Sequence, residues 1–173
     1  MKNASAVFQA INYYLSSDST YFVIGKSSAW DNNDTPPEPT QDSTVLDPIA
    51  YIKPSCYLCY PTTSTDTSAF ITYKGQNYDS SAVADAYTNN ANYVYYETSL
   101  TSDDISTLDQ FRILGLTVGL TPITGATSSI LTPSQVSNAG RLHGIYNSVA
   151  TVMTDKTTIK LNALISETIA QLN

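Results

Sequence analysis

The sequence predicts a mainly β, antiparallel, β-sandwich-like fold with one N-terminal helix and one or two short helices. Three observations lead there. Runs of aromatic and β-branched residues recur between clusters of Gly, Pro, Ser and Asn, which is the pattern of strands joined by turns. Charged residues make up only 13% of the chain and the polar filler is Ser, Thr, Asn and thirteen Tyr, a composition suited to pleated, half-buried surfaces. Neither a βαβ alternation nor an internal repeat is present, so parallel-sheet and solenoid architectures are not expected. A chain of 173 residues buries roughly 70% of the surface its unfolded form exposes and folds without disulfides or metal. We read residues 1–173 as a single β-rich domain, with long loops near 31–43, 62–68 and 121–136.

The elements follow in order. In residues 5–15, Val7, Phe8, Ile11, Tyr14 and Leu15 recur at helical spacing and Ser5 is placed as an N-cap. Residues 21–25, YFVIG, form a strand of aromatic and β-branched residues. DNNDTPPEPTQDS (31–43) holds three prolines and four carboxylates and reads as a loop, extended at Pro36-Pro37. TVLDPIAYIKP is turn-interrupted, and SCYLCY is a β-type run closed by Pro61. A strand ending at Tyr73 leads into a turn containing Gly75, and residues 80–89 suit one or two helical turns. ANYVYYETSL (91–100) and FRILGLTVG (111–119) are strands, with Gly115 a bulge or a close-packing point. GRLHGIYN (140–147) alternates Leu142, Gly144 and Tyr146 against Arg141, His143 and Ile145. TTIKLNALI (157–165) alternates as a half-buried strand, although 164–172 also fits a helix.

The net charge is −7, and the eight Lys and Arg are scattered. Nucleic-acid affinity needs a basic patch, so no direct nucleic-acid partner is expected. Nothing near the start reads as a secretory signal: Lys2 is the only basic residue there, and Gln9, Asn12, Tyr13 and Tyr14 interrupt the apolar run. No stretch approaches a membrane span. The expectation is a soluble protein made in a cytoplasm.

Three motifs invite a chemical reading. Gly25-Lys26-Ser27 shares three residues with a phosphate loop, but Thr20 stands where the first glycine is required, and prolines follow where a helix must begin. The better reading is a strand ending at Gly25, a turn, and Trp30 folded back as an anchor. Cys56 and Cys59 form C-x-x-C, yet with no third cysteine and only His143 one chain cannot complete a zinc site. On a strand the two thiols point to opposite faces and read as buried structural cysteines, the alternative being an intersubunit metal or redox role. His143 lacks a G-x-S-x-G partner motif, and Asp103-Asp104 reads as a capped turn. We assign no catalytic residue, no cofactor and no metal, and expect no enzyme.

The order of segments is more telling. YFVIGKSSAW followed by the acidic PPEP stretch resembles the opening of the baseplate wedge proteins of contractile-tailed bacteriophages, the gene-product-eight-like family. There an aromatic-aliphatic strand is followed by Gly, Arg or Lys, Ser, a gap and Trp. ANYVYYETSL is similar to that family's central strand, and FRILGLTVGLTP to its Phe-Arg strand. LTPSQVSNAGRLHGIYN and KTTIKLNALI resemble its closing pair of strands. The resemblance covers most of residues 5–165 and identifies a short member.

It implies a virion structural protein of the tail baseplate, assembled in the host cytoplasm. Its partners would be other wedge subunits, and a homodimer is implied; no membrane is. Candidate interface residues are Trp30, Pro36, Pro37, Tyr93, Tyr95, Tyr96, Phe111 and Arg112, since aromatic and Arg side chains dominate interfaces. The alternative is a carbohydrate- or receptor-binding β module of a tail fibre, which would need an exposed ladder of Tyr93, Tyr95 and Tyr96.

Overall fold

The computed structural model describes residues 4–63, 70–105, 109–153 and 158–166. In chain order these form helix α1 (Ala4–Leu15), β1 (Tyr21–Gly25), the single turn α2 (Asp31–Asp34), β2 (Pro48–Ile52), β3 (Ser55–Thr62), β4 (Ile71–Tyr73) and β5 (Gln76–Ser80). Then come α3 (Ala86–Asn89), β6 (Tyr93–Thr101), β7 (Gln110–Val118), β8 (Thr121–Pro122), β9 (Ile130–Leu131), β10 (Val136–Asn138), β11 (Arg141–Val152) and β12 (Thr158–Ser166). The chain is mainly antiparallel β with an N-terminal helix and two short ones, as its composition and strand runs predicted.

Contacts divide the chain into two compact units, one of Met1–Ser17, Ser55–Glu97 and Asn162–Asn173, the other of Asp18–Pro54 and Thr98–Leu161. In the second unit a five-stranded sheet runs β11-β7-β1-β2-β9. β1 is its centre, and all five of its residues are buried. That is why it reads as an unbroken apolar run rather than an alternation. Val23 sits opposite Gly115 of β7 and Tyr51 of β2. Tyr21, Val23, Tyr51, Leu120 and Leu131 form a core with Val45, Val136 and Leu142 packed against it.

The other five-stranded sheet runs β12-β6-β3-β5-β4. In the first unit, Cys59, Ile71, Tyr78 and Tyr95 make its core, with Tyr57, Tyr73, Tyr93 and Leu164 against them. Tyr78 and Tyr93 meet edge to face at 5.3 Å. β4 and β5 are joined by Lys74-Gly75, both with positive φ (48° and 82°), the backbone a tight hairpin demands. Helix α1 lies against β3 and α3.

Several local readings are corrected. Ser5 is the second residue of α1, not its cap. The helix buries Ala6, Val7 and Ala10 and half-buries Ile11 and Tyr14, while Phe8 and Leu15 of the expected stripe are exposed; the small side chains let the helix approach closely. The acidic loop opens with the turn α2. β3 continues through Pro61, which pairs with Tyr78, because β6 pairs with β3 only as far as Cys59. Beyond Cys59 no described strand continues the β6 side of β3, and proline is tolerated on a strand with an open side. The 121–136 stretch holds two short bridges and a Thr132–Gln135 capping box.

The alternation read into 140–147 is broken at His143. Leu142 pairs with Thr117 and Gly144 with Leu116, leaving His143 as a bulge. Past the bulge Ile145 is half-buried and Tyr146 points to solvent, the reverse of a regular strand. β12 is a strand to Ser166; the helical alternative beyond it, and most of the 62–68 loop, lie outside the described residues.

Candidate contact surface around Trp30

The turn after β1 is built by backbone constraint. A Cβ on Gly25 would lie 2.5 Å from the Leu46 carbonyl oxygen and 2.7 Å from Val45 Cγ1, so only glycine ends the strand here. Lys26 follows with φ 51°, a left-handed conformation that a non-glycine residue adopts at a cost. Its N–H donates to the Asp47 carbonyl at 3.1 Å. Its ammonium stands 5.0 Å from the centre of the Trp30 ring, a cation–π contact.

Trp30 is buried, at 8% exposure. The indole Nε1–H donates to the Ser148 carbonyl at 2.7 Å, and the backbone N–H donates to Asp34 Oδ1 at 2.7 Å. Arg112 closes the cluster. Its Nε donates to Asp34 Oδ1 at 2.8 Å and its Nη2 to Asp34 Oδ2 at 3.0 Å, a bidentate pair. Its Nη1 donates to the Ser27 carbonyl, which Gln110 Nε2 also reaches at 3.0 Å. Asn33 and Asp34 hold φ of 61° and 59°, a region Asn and Asp enter more readily than most residues. Asn147 Nδ2 donates to the Pro37 carbonyl at 2.9 Å and pins the proline stretch to β11.

Electrostatics follow from these bonds. The Arg112 hydrogen bonds, then the Trp30 N–H, hold the Asp34 carboxyl below its ordinary value. The same contact raises Arg112. Gly25-Lys26-Ser27 is thus a strand end, a lid on an indole and an acceptor for a guanidinium.

The structure brings Trp30, Pro37 and Arg112 of the candidate residues into one cluster. Arg112 and the neighbouring Phe111 are buried, Pro36 is half-buried, and Pro37 is exposed. Tyr93, Tyr95 and Tyr96 belong to the first unit, where Tyr95 and Tyr96 are buried and Tyr93 is half-buried. The open tyrosine ladder that a saccharide reader would need is therefore not formed there. Asp34, Asn147 and Ser148 were not singled out in the sequence; Arg112, Pro37 and Trp30 reach them from distant parts of the chain, and no local pattern marks those pairings.

The remaining motifs have plain roles. Burial pushes the Cys56 thiol up to about 11 and the Cys59 thiol up to about 12, far from the thiolate a nucleophile or ligand requires. Asp104 Oδ2 accepts from the Thr101 N–H and hydroxyl, each at 2.7 Å, a capped turn. His143 is exposed on its bulge. Among the described residues no three His, Cys, Asp or Glu are placed to hold a metal, and no helix is long and apolar enough to cross a membrane.

Beside this cluster, the loop after Pro37 and the β7 and β11 residues Ile113 and Asn147 border an open cleft of about 360 Å³. β11 is the edge of its sheet, bonded only to β7 among the described strands. Tyr146, Val149 and Val152 are more than half exposed along it.

Comparison with known proteins agrees with the resemblance read from the segments. Residues 1–166 match the family described as "Baseplate wedge 3 tail fiber network component". The chain is also 30% identical over 149 residues to "Virion protein 3" of Enterococcus phage phiEF24C, covering 84% of this chain and 82% of that protein. The chain belongs to the baseplate wedge 3 tail fiber network component family, and with it to the structural proteins of the phage virion tail.

Proposed function

We propose that this protein is a bridging subunit of the baseplate wedge that joins neighbouring baseplate and tail-fibre proteins and performs no catalysis. The observation that carries the reading is the open edge of β11. It is twelve residues long, no residue from Gly144 to Thr154 is charged, and three large apolar side chains stand exposed along it. Free-standing proteins protect such edges with charge, proline or bulges; β11 bulges at His143 and between Asn147 and Thr151, but it carries neither charge nor proline from Gly144 on. An edge left apolar suits strand addition from a partner.

A second copy is one such partner. Its own uncharged β11 segment could meet this one across a two-fold axis, as the homodimer that the resemblance implies would require. The Trp30 cluster would then hold the 31–47 loop rigid beside the edge, with Pro36 and Pro37 presented on it. The burial of Tyr95 and Tyr96 favours this reading over a saccharide-binding module.

The test is Val149→Lys, supplied in trans to a phage lacking the gene. We expect a folded protein that enters purified tails at a small fraction of the wild-type amount. Normal incorporation and infectivity would remove the edge from the account.

A further inference from the structure

We infer that a second cavity, over Val23 and Leu142, receives a tyrosine side chain presented by a neighbouring polypeptide. The inference rests on reading this chain as a bridging subunit, and it names the chemistry of one contact.

Leu142, Thr117, Val23 and Tyr51 come from four adjacent strands, β11, β7, β1 and β2, and share one face of their sheet. Together with Val45 they line a cavity of about 300 Å³, at the small end of ligand sites and suited to one large side chain. Its remaining lining residues, Thr44, Ala139 and Gly140, are exposed, so the cavity opens to solvent there.

Tyr51 marks it as a binding site. The residue is 7% exposed, yet its hydroxyl makes no hydrogen bond with the described residues and is not among the polar atoms sealed from solvent. Buried phenols ordinarily find a partner. Burial raises the Tyr51 pKa, so the group stands as an O–H at neutral pH. The other polar groups of the wall are spent or wet. Thr117 Oγ1 donates to the Ala139 carbonyl, with the Arg141 carbonyl at 3.2 Å. The Gly140 N–H donates to Asn138 Oδ1 at 3.0 Å, and Thr44 is exposed.

These groups narrow the guest. No charged side chain lines the cavity, so an ionic guest would be buried without a partner. An aliphatic or phenylalanine side chain would exclude water from the Tyr51 hydroxyl and put nothing in its place. Indole is a donor only and would leave the Tyr51 proton unspent. Phenol has an apolar ring for Val23, Val45 and Leu142 and a hydroxyl that both donates and accepts. A saccharide carries more hydroxyls than this wall has partners for. Leu142 belongs to β11 and Gly140 precedes it, so a segment added along that edge reaches the cavity.

The test follows the Val23, Val45 and Leu142 methyl resonances of the ¹³C-methyl-labelled full-length protein. Acetyl-Gly-Tyr-Gly-amide is added, with the phenylalanine peptide, p-cresol and N-acetylglucosamine as comparisons. We expect a saturable shift with the tyrosine peptide and with p-cresol. The phenylalanine peptide, or Tyr51→Phe in the protein, should weaken binding by about three- to tenfold. Tyr51→Phe keeps the ring and removes an unpaired hydroxyl, so the free variant should match or exceed the wild-type Tm.

No saturable shift with the tyrosine peptide, equal affinity for the two peptides, or equal affinity in Tyr51→Phe would overturn the assignment. So would a lowered Tm in that variant, or binding of p-cresol without the peptide. Incorporation of Val149→Lys into tails is scored in parallel. Its exclusion without tyrosine binding overturns the tyrosine site and leaves the bridging role standing. Tyrosine binding weakened by Tyr51→Phe supports the site even if Val149→Lys assembles normally and so defeats the bridging role.

Discussion

Trp30 carries more of the local structure than any other residue of its loop. It is clamped from three directions: the Lys26 ammonium, the Ser148 carbonyl and the Asp34 carboxylate. Trp30→Ala should cost about 3–5 kcal/mol in chemical denaturation, and no nucleotide-binding activity should be lost with it. A loss under about 1 kcal/mol would mean that the indole is not an anchor. Asp34 adds a pH signature. Its carboxyl is held below the ordinary aspartate value by the Arg112 and Trp30 hydrogen bonds, so its stabilising contribution is complete above the ordinary value and fades as pH falls through the lower folded-state one. Asp34→Asn should therefore flatten the acid limb of stability against pH, and an unchanged limb would contradict the pairing with Arg112. Cys56 and Cys59 should resist iodoacetamide in the native protein and react fully once it is unfolded, because burial keeps both thiols protonated.

Among the elements, β1 and β7 were the easiest to read because strands covered on both faces leave long apolar runs. Gly115 in β7 was legible as a close-packing point, and the register there is regular. A Cβ at this position would stand 2.9 Å from Val23 Cγ1, 3.0 Å from Leu142 Cδ1 and 3.1 Å from Val45 Cγ2. Gly115→Val should therefore destabilise by about 1–3 kcal/mol through overpacking; a neutral result in urea melts would show that β1, β7 and β11 part easily.

What stayed illegible has physical reasons. β8 and β9 are two-residue bridges, too short for any periodicity. The bulge at His143 lies in the pairing with β7, which the alternation of side chains alone does not reveal, so Tyr146 does not keep the face of Leu142. The Asp34–Arg112 pair joins residues 78 positions apart, and nothing near either one signals the other. Trp30 was legible as an anchor because a large indole at the head of a polar loop needs a place to bury. Where it is buried depended on β11.

At the scale of the molecule, the family assignment and the open β11 edge lead to one claim: this chain is completed by its neighbours in the tail. A net charge of −7 opposes non-specific self-association, while the uncharged edge is where partners would add. The most direct measurement is hydrogen exchange across residues 141–152, compared between the free protein and purified tails. β11 amides that face away from β7 have no partner strand among the described residues and should exchange quickly in the free chain. The account predicts strong protection of that segment in the tail. Equal exchange rates in both states, or absence of the protein from the tail, would contradict it.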